Sequence, residues 1–552
     1  MLHLWYFLLP VGFVVCLNDV SDLITESQAG TFRGKIISAF NGAEFVSYRG
    51  IPFALPPTGE KRFALPEPFP KIENVVFDAL DFGPICVQHM NGRAFGQEDC
   101  LYLNVFTPLK AKDSTNVPLK KVLVFIYGGG FVVGSSNNYT PGDFVTKNNL
   151  IVVTFNYRVG WMGFLRGNSD SLPGNQAFYD QVLALKWIKN NIQAFGGDPE
   201  DITISGESAG SLSVSVLAIS PLTTNLFSKA ILMSGTAFTF PSPPQTTTDL
   251  LDTLSTTLGC ENDTDVVSCL KQQPAEKFVM KFSSALLVSL VSSGDSLLPF
   301  PIPELIQDVE YLNEVGFFNR DYIVSITKED GYIRVNSAFG KIDTSSLESS
   351  IVDLSKLFQF PEYVAESLLL EYLKTYEEVE RAVIAISTDY FYLQRSNHFL
   401  ETYGRLSLQG ENQPKKNAYF MSFDHAPHYF PHQYAPHALD LLYLFDFNIQ
   451  TFLTGFFFIE STGEFNDDDL KLKEEYSHLI AAFVKTGNPN EFLTKEKSIV
   501  WSPHDNDYKH YLSFSLQPSV HQDVYGDRRI IWEELIPQWK KEYEILQTKQ
   551  EL

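Results

Sequence analysis

Residues 202–218 read ITISGESAGSLSVSVLA. Ile202–Ser205 has the character of a strand, Gly206-Glu207-Ser208-Ala209-Gly210 matches G-x-S-x-G, and the small residues that follow suit a helix packed tightly on a sheet. Alone, the pentapeptide is a weak signal, because glycine and serine are common. Between a strand and a helix it is a strong one. The glycines allow a sharp turn, and the serine Oγ is then lifted above the sheet toward solvent. A plain Gly/Ser loop is the competing reading, and it accounts for neither flank.

Upstream, KVLVFIYGGG and LIVVTFNYR are apolar nearly throughout, as strands covered on both faces are, and with LYLNVFTP they read as central strands. Residues 174–194 place Val182, Leu185, Ile188 and Ile192 at helical spacing, and GGDPEDITIS turns the chain back to the strand at Ile202–Ser205. Strand, helix, strand implies a mostly parallel α/β sheet flanked by helices. Earlier, 32–38 and 43–48 read as short strands, and YRGIPFALPPTGEKRFALPEP as an irregular Pro-rich connection. Downstream, DYIVSIT (321–327) and NAYFMSF (417–423) look like further strands, and 470–487 and 527–547 look helical. The stretch 239–320 lacks clear alternation and reads as an insertion over the sheet.

An exposed serine needs a place for negative charge to develop and a proton acceptor. Tyr127-Gly128-Gly129-Gly130-Phe131 follows the strand KVLVFI directly, so its backbone N–H groups can turn toward a carbonyl oxygen. The expected oxyanion donors are Gly129, Gly130 and Ala209. In the chain order serine, acid, histidine, DYIVSIT ends at Lys328-Glu329-Asp330-Gly331, which offers two adjacent carboxylates. Strand 417–423 opens onto His425, His428, His432 and His437, and the residues by themselves do not choose among these four.

Composition bounds the rest. The chain has 552 residues, 44% hydrophobic and 20% charged, enough to bury a large core. Its net charge of −24 repels phosphate backbones, which excludes nucleic-acid binding. Residues 2–17, LHLWYFLLPVGFVVCL, carry no formal charge and fall short of the ~20 residues of a membrane span. They read as a signal peptide over 1–17, with a short buried element as the alternative, leaving 18–552 as the mature chain. Of five cysteines, Cys16 would leave with the leader. Cys86, Cys100, Cys260 and Cys269 allow three pairings, and their spacing does not suit a metal site. Asn138-Tyr139-Thr140 and Asn262-Asp263-Thr264 are glycosylation sequons.

At this point the chain resembles the type-B carboxylesterase and cholinesterase family over nearly its whole mature length. GIPFALPPTGEKRF, EDCLYLNV, YGGGF, NYRVGWMGFL, PGN, DQVLALKWIKNNIQAFGGDP and GESAG stand in the family's order, and the intervals between Ser208, Asp330 and His437 also resemble the family's. The resemblance implies a single α/β-hydrolase domain, with 239–320 and nearby segments walling an active-site gorge. It implies a serine carboxylic-ester hydrolase working through an acyl-enzyme, with Ser208, Asp330 and His437 as the triad. PHALDLLYLF resembles the family's histidine segment, which picks His437. Disulfides Cys86–Cys100 and Cys260–Cys269, and structural ion pairs Arg62–Glu98 and Arg158–Asp180, follow by the same analogy. The implied partner is a small-molecule ester, with no metal or organic cofactor and no membrane span.

Two departures stand out. The family usually has Glu before the glycine, whereas here Asp330 holds that place and Glu329 precedes it as a rival acid. Between Cys86 and Cys100, VQHMNGRAFGQED lacks the tryptophan with which cholinesterases hold a quaternary ammonium, so choline-ester selectivity is not expected. The rival functions are a catalytically silent adhesion or binding relative, which would typically have lost the serine or histidine, and a lipase of the same fold. The C-terminal Lys549-Gln550-Glu551-Leu552 differs from the retrieval signal K-D-E-L at one position. It points to a receptor-retrieved glycoprotein of the endoplasmic reticulum lumen, with secretion as the alternative.

Overall fold

The computed structural model describes residues 23–542, apart from 91–92, 110–117, 168–170, 239–246, 279–290, 336–340, 407–415, 431–432, 458–462 and 525. The expected leader, His432, the C-terminal KQEL and parts of 239–320 lie outside the described residues.

The N-terminal strands β1 (Ile24–Ser27) and β2 (Gly30–Arg33) form a small sheet with β5 (Val76–Asp78). Next come β3 (Lys35–Ser38) and β4 (Glu44–Pro52), a hairpin of β6 (Gln88–Met90) and β7 (Arg93–Phe95), β8 (Tyr102–Pro108), β9 (Lys120–Ile126) and β10 (Ile151–Phe155). The second half adds β11 (Gly197–Glu207), β12 (Lys229–Met233), β13 (Asp321–Thr327), β14 (Ala418–Phe423), β15 (His510–Phe514) and β16 (Ser519–Gln522). Among the described residues eleven strands make the main sheet, in the order β16-β15-β14-β13-β12-β11-β9-β10-β8-β4-β3. From β10 to β15 every neighbouring pair is parallel, and only the flanks are antiparallel. This is the α/β-hydrolase architecture.

Three details depart from the sequence reading. LYLNVFTP is β8 and runs antiparallel to both neighbours, because a continuous apolar run reports burial on two faces and carries no direction. GGDPED is not only a turn: β11 begins at Gly197 and shifts register against β9 between Gly197 and Ile202. The strand β12, KAILM, escaped notice because Lys, Ala, Leu and Met are helix formers; every one of its residues is buried in the sheet, and that context overrides propensity.

The described part of the 239–320 stretch is helical, with Thr247–Leu258 and Val266–Gln272 followed by short turns. The disulfide Cys260–Cys269 ties the first two helices, and Cys86–Cys100 closes the loop that carries the β6–β7 hairpin. A loop of this size constrains the unfolded chain by about 3 kcal/mol. Arg62 grips Glu98 with two bonds of 2.6 and 2.7 Å and reaches the carbonyl of Leu270, so it fastens the N-terminal segment to the second helix. Arg158 and the fully buried Asp180 pair in the same two-pronged way, at 2.8 and 2.7 Å. Asn138 and Asn262 are exposed. Among the described residues no helix is long and apolar enough to cross a membrane.

Candidate active site

The strand β11 ends at Glu207, and the helix Ala209–Ala218, buried along its whole length, starts one residue after Ser208. Ser208 itself carries the turn, with φ +56° and ψ −122°. Such a conformation costs a non-glycine residue about 1–3 kcal/mol and persists only where the surroundings impose it. Here its N–H donates to Met233 O at 2.9 Å and its carbonyl accepts the Leu212 N–H at 2.9 Å. The flanking glycines contribute room, not left-handed backbone. A Cβ on Gly210 would stand 2.0 Å from Ile126 O, and one on Gly206 would stand 2.4 Å from Gly210 C. Ser208 is half-buried, while Glu207, Ala209 and Gly210 on either side are buried.

The glycine loop lies against this turn. A Cβ on Gly128 would fall 2.6 Å from Glu207 O and 3.0 Å from Ser208 Cβ, so the glycine of the loop not expected to donate to the oxyanion sets how closely the two loops approach. Gly129 (φ +107°) and Gly130 (φ +62°) turn the chain, and the Val132 and Val133 N–H groups close it onto Gly129 O. Tyr127 and Tyr157 stack at 4.3 Å and exchange hydroxyl-to-carbonyl bonds of 2.8 Å, which anchors the loop's start. Among the described residues, the N–H groups of Gly129, Gly130 and Ala209 have no hydrogen-bond partner. That of Ala209 opens a helix, where backbone donors are naturally free.

Beyond β13, Asp330 is fully buried. Its Oδ2 accepts from Thr327 N–H at 2.9 Å and from the Ser234 hydroxyl at 3.0 Å, and its Oδ1 lies 2.8 Å from His437 Nδ1. Glu329 turns elsewhere, and its Oε2 accepts the Ala435 N–H at 2.8 Å. Gly331 is required after the acid because a Cβ there would lie 2.1 Å from Ile384 O. Of the other loop histidines, His425 Nε2 lies 2.7 Å and His428 Nδ1 3.3 Å from the carboxylate of Asp469, away from Ser208.

Four residues around the imidazole were not read from the sequence: Ser234, Tyr392, Glu207 and Asp440. The Tyr392 ring covers His437 at 4.9 Å, presented by a π-helical turn, Asp389–Leu393. Glu207 Oε1 is 3.0 Å from His437 Nε2 and has no other partner among the described residues. Burial disfavours the imidazolium, yet the oxygen of Tyr392, the Glu207 carboxylate and the bond to Asp330 outweigh it and raise the His437 pKa well above its usual value. Asp440 is pushed up to about 8, by burial first and then by Glu207 and Asp330. One signal could have exposed it: an acid inside the apolar run ALDLLYLF is rarely buried without a reason. Among the described residues no cluster of His, Cys, Asp and Glu is arranged to hold a metal ion.

The model of the carboxylesterase family matches residues 21–532. The chain is 28% identical over 548 residues to the pyrethroid hydrolase Ces2e of Rattus norvegicus, covering 94% of this chain and 91% of that protein. It is 28% identical to the cocaine esterase of Homo sapiens, covering 96% and 94% respectively. Over 386 residues it is 34% identical to carboxylesterase 1E of Mus musculus, covering 64% of this chain and 68% of that protein. The chain belongs to the carboxylesterase family and is a carboxylic-ester hydrolase.

Proposed function

We propose that Ser208, His437 and Asp330 form a catalytic triad that cleaves esters through an acyl-enzyme. Ser208 Oγ attacks the carbonyl carbon as its proton passes to His437 Nε2, and the carbonyl oxygen, now negative, takes the N–H groups of Gly129, Gly130 and Ala209. The C–O bond to the alcohol breaks and His437 returns the proton to the leaving oxygen. A water deprotonated by His437 then attacks the acyl carbon, and the acid departs with Ser208 Oγ reprotonated. The observation that carries this reading is the 2.8 Å contact of His437 Nδ1 with a buried carboxylate, while Nε2 of the same ring lies 3.0 Å from Glu207, the residue before a half-buried serine on a strained turn. A carboxylate only accepts, so the Nδ1 proton faces Asp330 and Nε2 is left to act as the base. Among the described residues no hydrogen bond engages Ser208 Oγ; such contacts commonly tighten only in the substrate complex. The test is labelling with an organophosphate followed by peptide mapping. The adduct is expected on Ser208, with loss of short-chain nitrophenyl ester hydrolysis; an adduct elsewhere overturns the assignment.

Glu207 gives this mechanism a pH signature. Its negative charge near Nε2 favours the imidazolium, which cannot accept a proton, so the acid limb of kcat/KM should lie above the pH of an ordinary imidazole, about 6.5. Removing the charge removes part of that stabilisation. Glu207→Gln is therefore expected to move the acid limb to lower pH. A limb that stays in place would show that Glu207 does not set the base's pKa.

A further inference from the structure

Two adjacent acids face one histidine loop, and they hold different parts of it. Asp330 meets the imidazole; Glu329 meets the backbone two positions before it. The Glu329 N–H donates to Ala435 O at 3.0 Å, and its side-chain Oε2 accepts the Ala435 N–H at 2.8 Å, so one residue takes both polar backbone groups of Ala435. Glu329 also forms a parallel bridge with Pro436. Among the described residues, Phe430 N–H donates to Pro427 O, Gln433 N–H to Phe430 O and Leu439 N–H to Pro436 O, bonds that stay within the loop. Gln433 (φ +54°) and Ala438 (φ +65°) both adopt left-handed backbone, which a non-glycine residue keeps only under external constraint. The Glu329 clamp lies between them.

Resting on the triad reading, we propose that Glu329 is a positioning residue whose carboxylate, by gripping Ala435, holds the His437 ring on Asp330. The charged form is the stronger acceptor. Burial pushes the Glu329 carboxyl up to about 7, against the pull of the Ala435 N–H, Lys328 and Arg381 and with the push of Asp424. The hydroxyls of Tyr376 and Tyr434 also feel its charge. The clamp therefore loosens as the Glu329 carboxylate takes up a proton.

The experiment compares Glu329→Ala, Glu329→Gln and Ser208→Ala in the full chain, by pH profiles of nitrophenyl ester hydrolysis. Glu329→Ala is expected to lower kcat about 10- to 100-fold with KM within about twofold, the cost of a misplaced catalytic group. The amide of Glu329→Gln keeps an oxygen for Ala435 without titrating. That variant should recover kcat at high pH, and its acid limb should report one ionisation where the wild type reports two. If Glu329→Ala keeps wild-type kcat, or if Glu329→Gln leaves the shape of the acid limb unchanged, the proposal fails. Should Glu329→Ala not fold, the Glu329→Gln profile alone decides. An active Ser208→Ala would instead overturn the triad reading, whatever the Glu329 variants do.

Discussion

Ser208→Ala is expected to cut kcat by about 10⁵- to 10⁶-fold, the range seen when a triad nucleophile is removed. The substitution deletes the Oγ and little else. Alanine occupies the same turn with φ near +56°, the bonds through its N–H to Met233 and through its carbonyl to Leu212 are backbone bonds, and neighbouring Gly206 and Gly210 still provide the space. KM should change little, because binding contacts outside the reacting atoms survive. Some acceleration over water should remain, from the glycine loop and the start of the helix at Ala209. Initial rates with a nitrophenyl ester, with thermal unfolding as a check on folding, measure this. A variant within tenfold of the wild type would remove Ser208 from the mechanism.

Asp330→Asn should lower kcat by about 10⁴-fold, for a reason visible in its neighbours. Two donors, the Thr327 N–H and the Ser234 hydroxyl, converge on Oδ2. An asparagine must offer them its carbonyl oxygen, which turns its NH₂ toward His437. The imidazole then has to accept at Nδ1 and carry its proton on Nε2, so it can no longer take the proton of Ser208. KM should be nearly unaffected, and the loss should persist across the pH range because a tautomer, not an ionisation, is wrong. Ser234→Ala combined with Asp330→Asn relieves part of that constraint, and partial recovery in the double variant would identify the tautomer as the cause.

Strands such as KVLVFI and IVVTF were legible because burial on both faces leaves an unbroken apolar run. The strand His510–Phe514, next to the edge, was not, since it alternates polar and apolar residues over only five positions. Nor was the π-helical turn that brings Tyr392 to His437, because its sequence, DYFYL, differs from an ordinary helix only in hydrogen-bond register.

What the sequence by itself determined lies within a few residues of a motif: the sharp turn at Ser208, the glycine loop after β9, the parallel α/β sheet and the family. These depend on backbone chemistry between chain neighbours, and composition and spacing record that directly. Composition and spacing left Glu329 and Asp330, and four histidines, open, and the family resemblance picked Asp330 and His437; the tertiary structure brings those two together, turns Glu329, His425 and His428 to other partners, and packs Glu207 and Asp440 into the same buried space. Asp330 and His437 are 107 positions apart, and Asp330 and Ser234 are 96. No local pattern encodes which of two adjacent carboxylates points inward. That choice follows from where β13 ends against β14 and from the helix Val379–Thr388 pressing on Gly331, which are packing facts of the whole sheet.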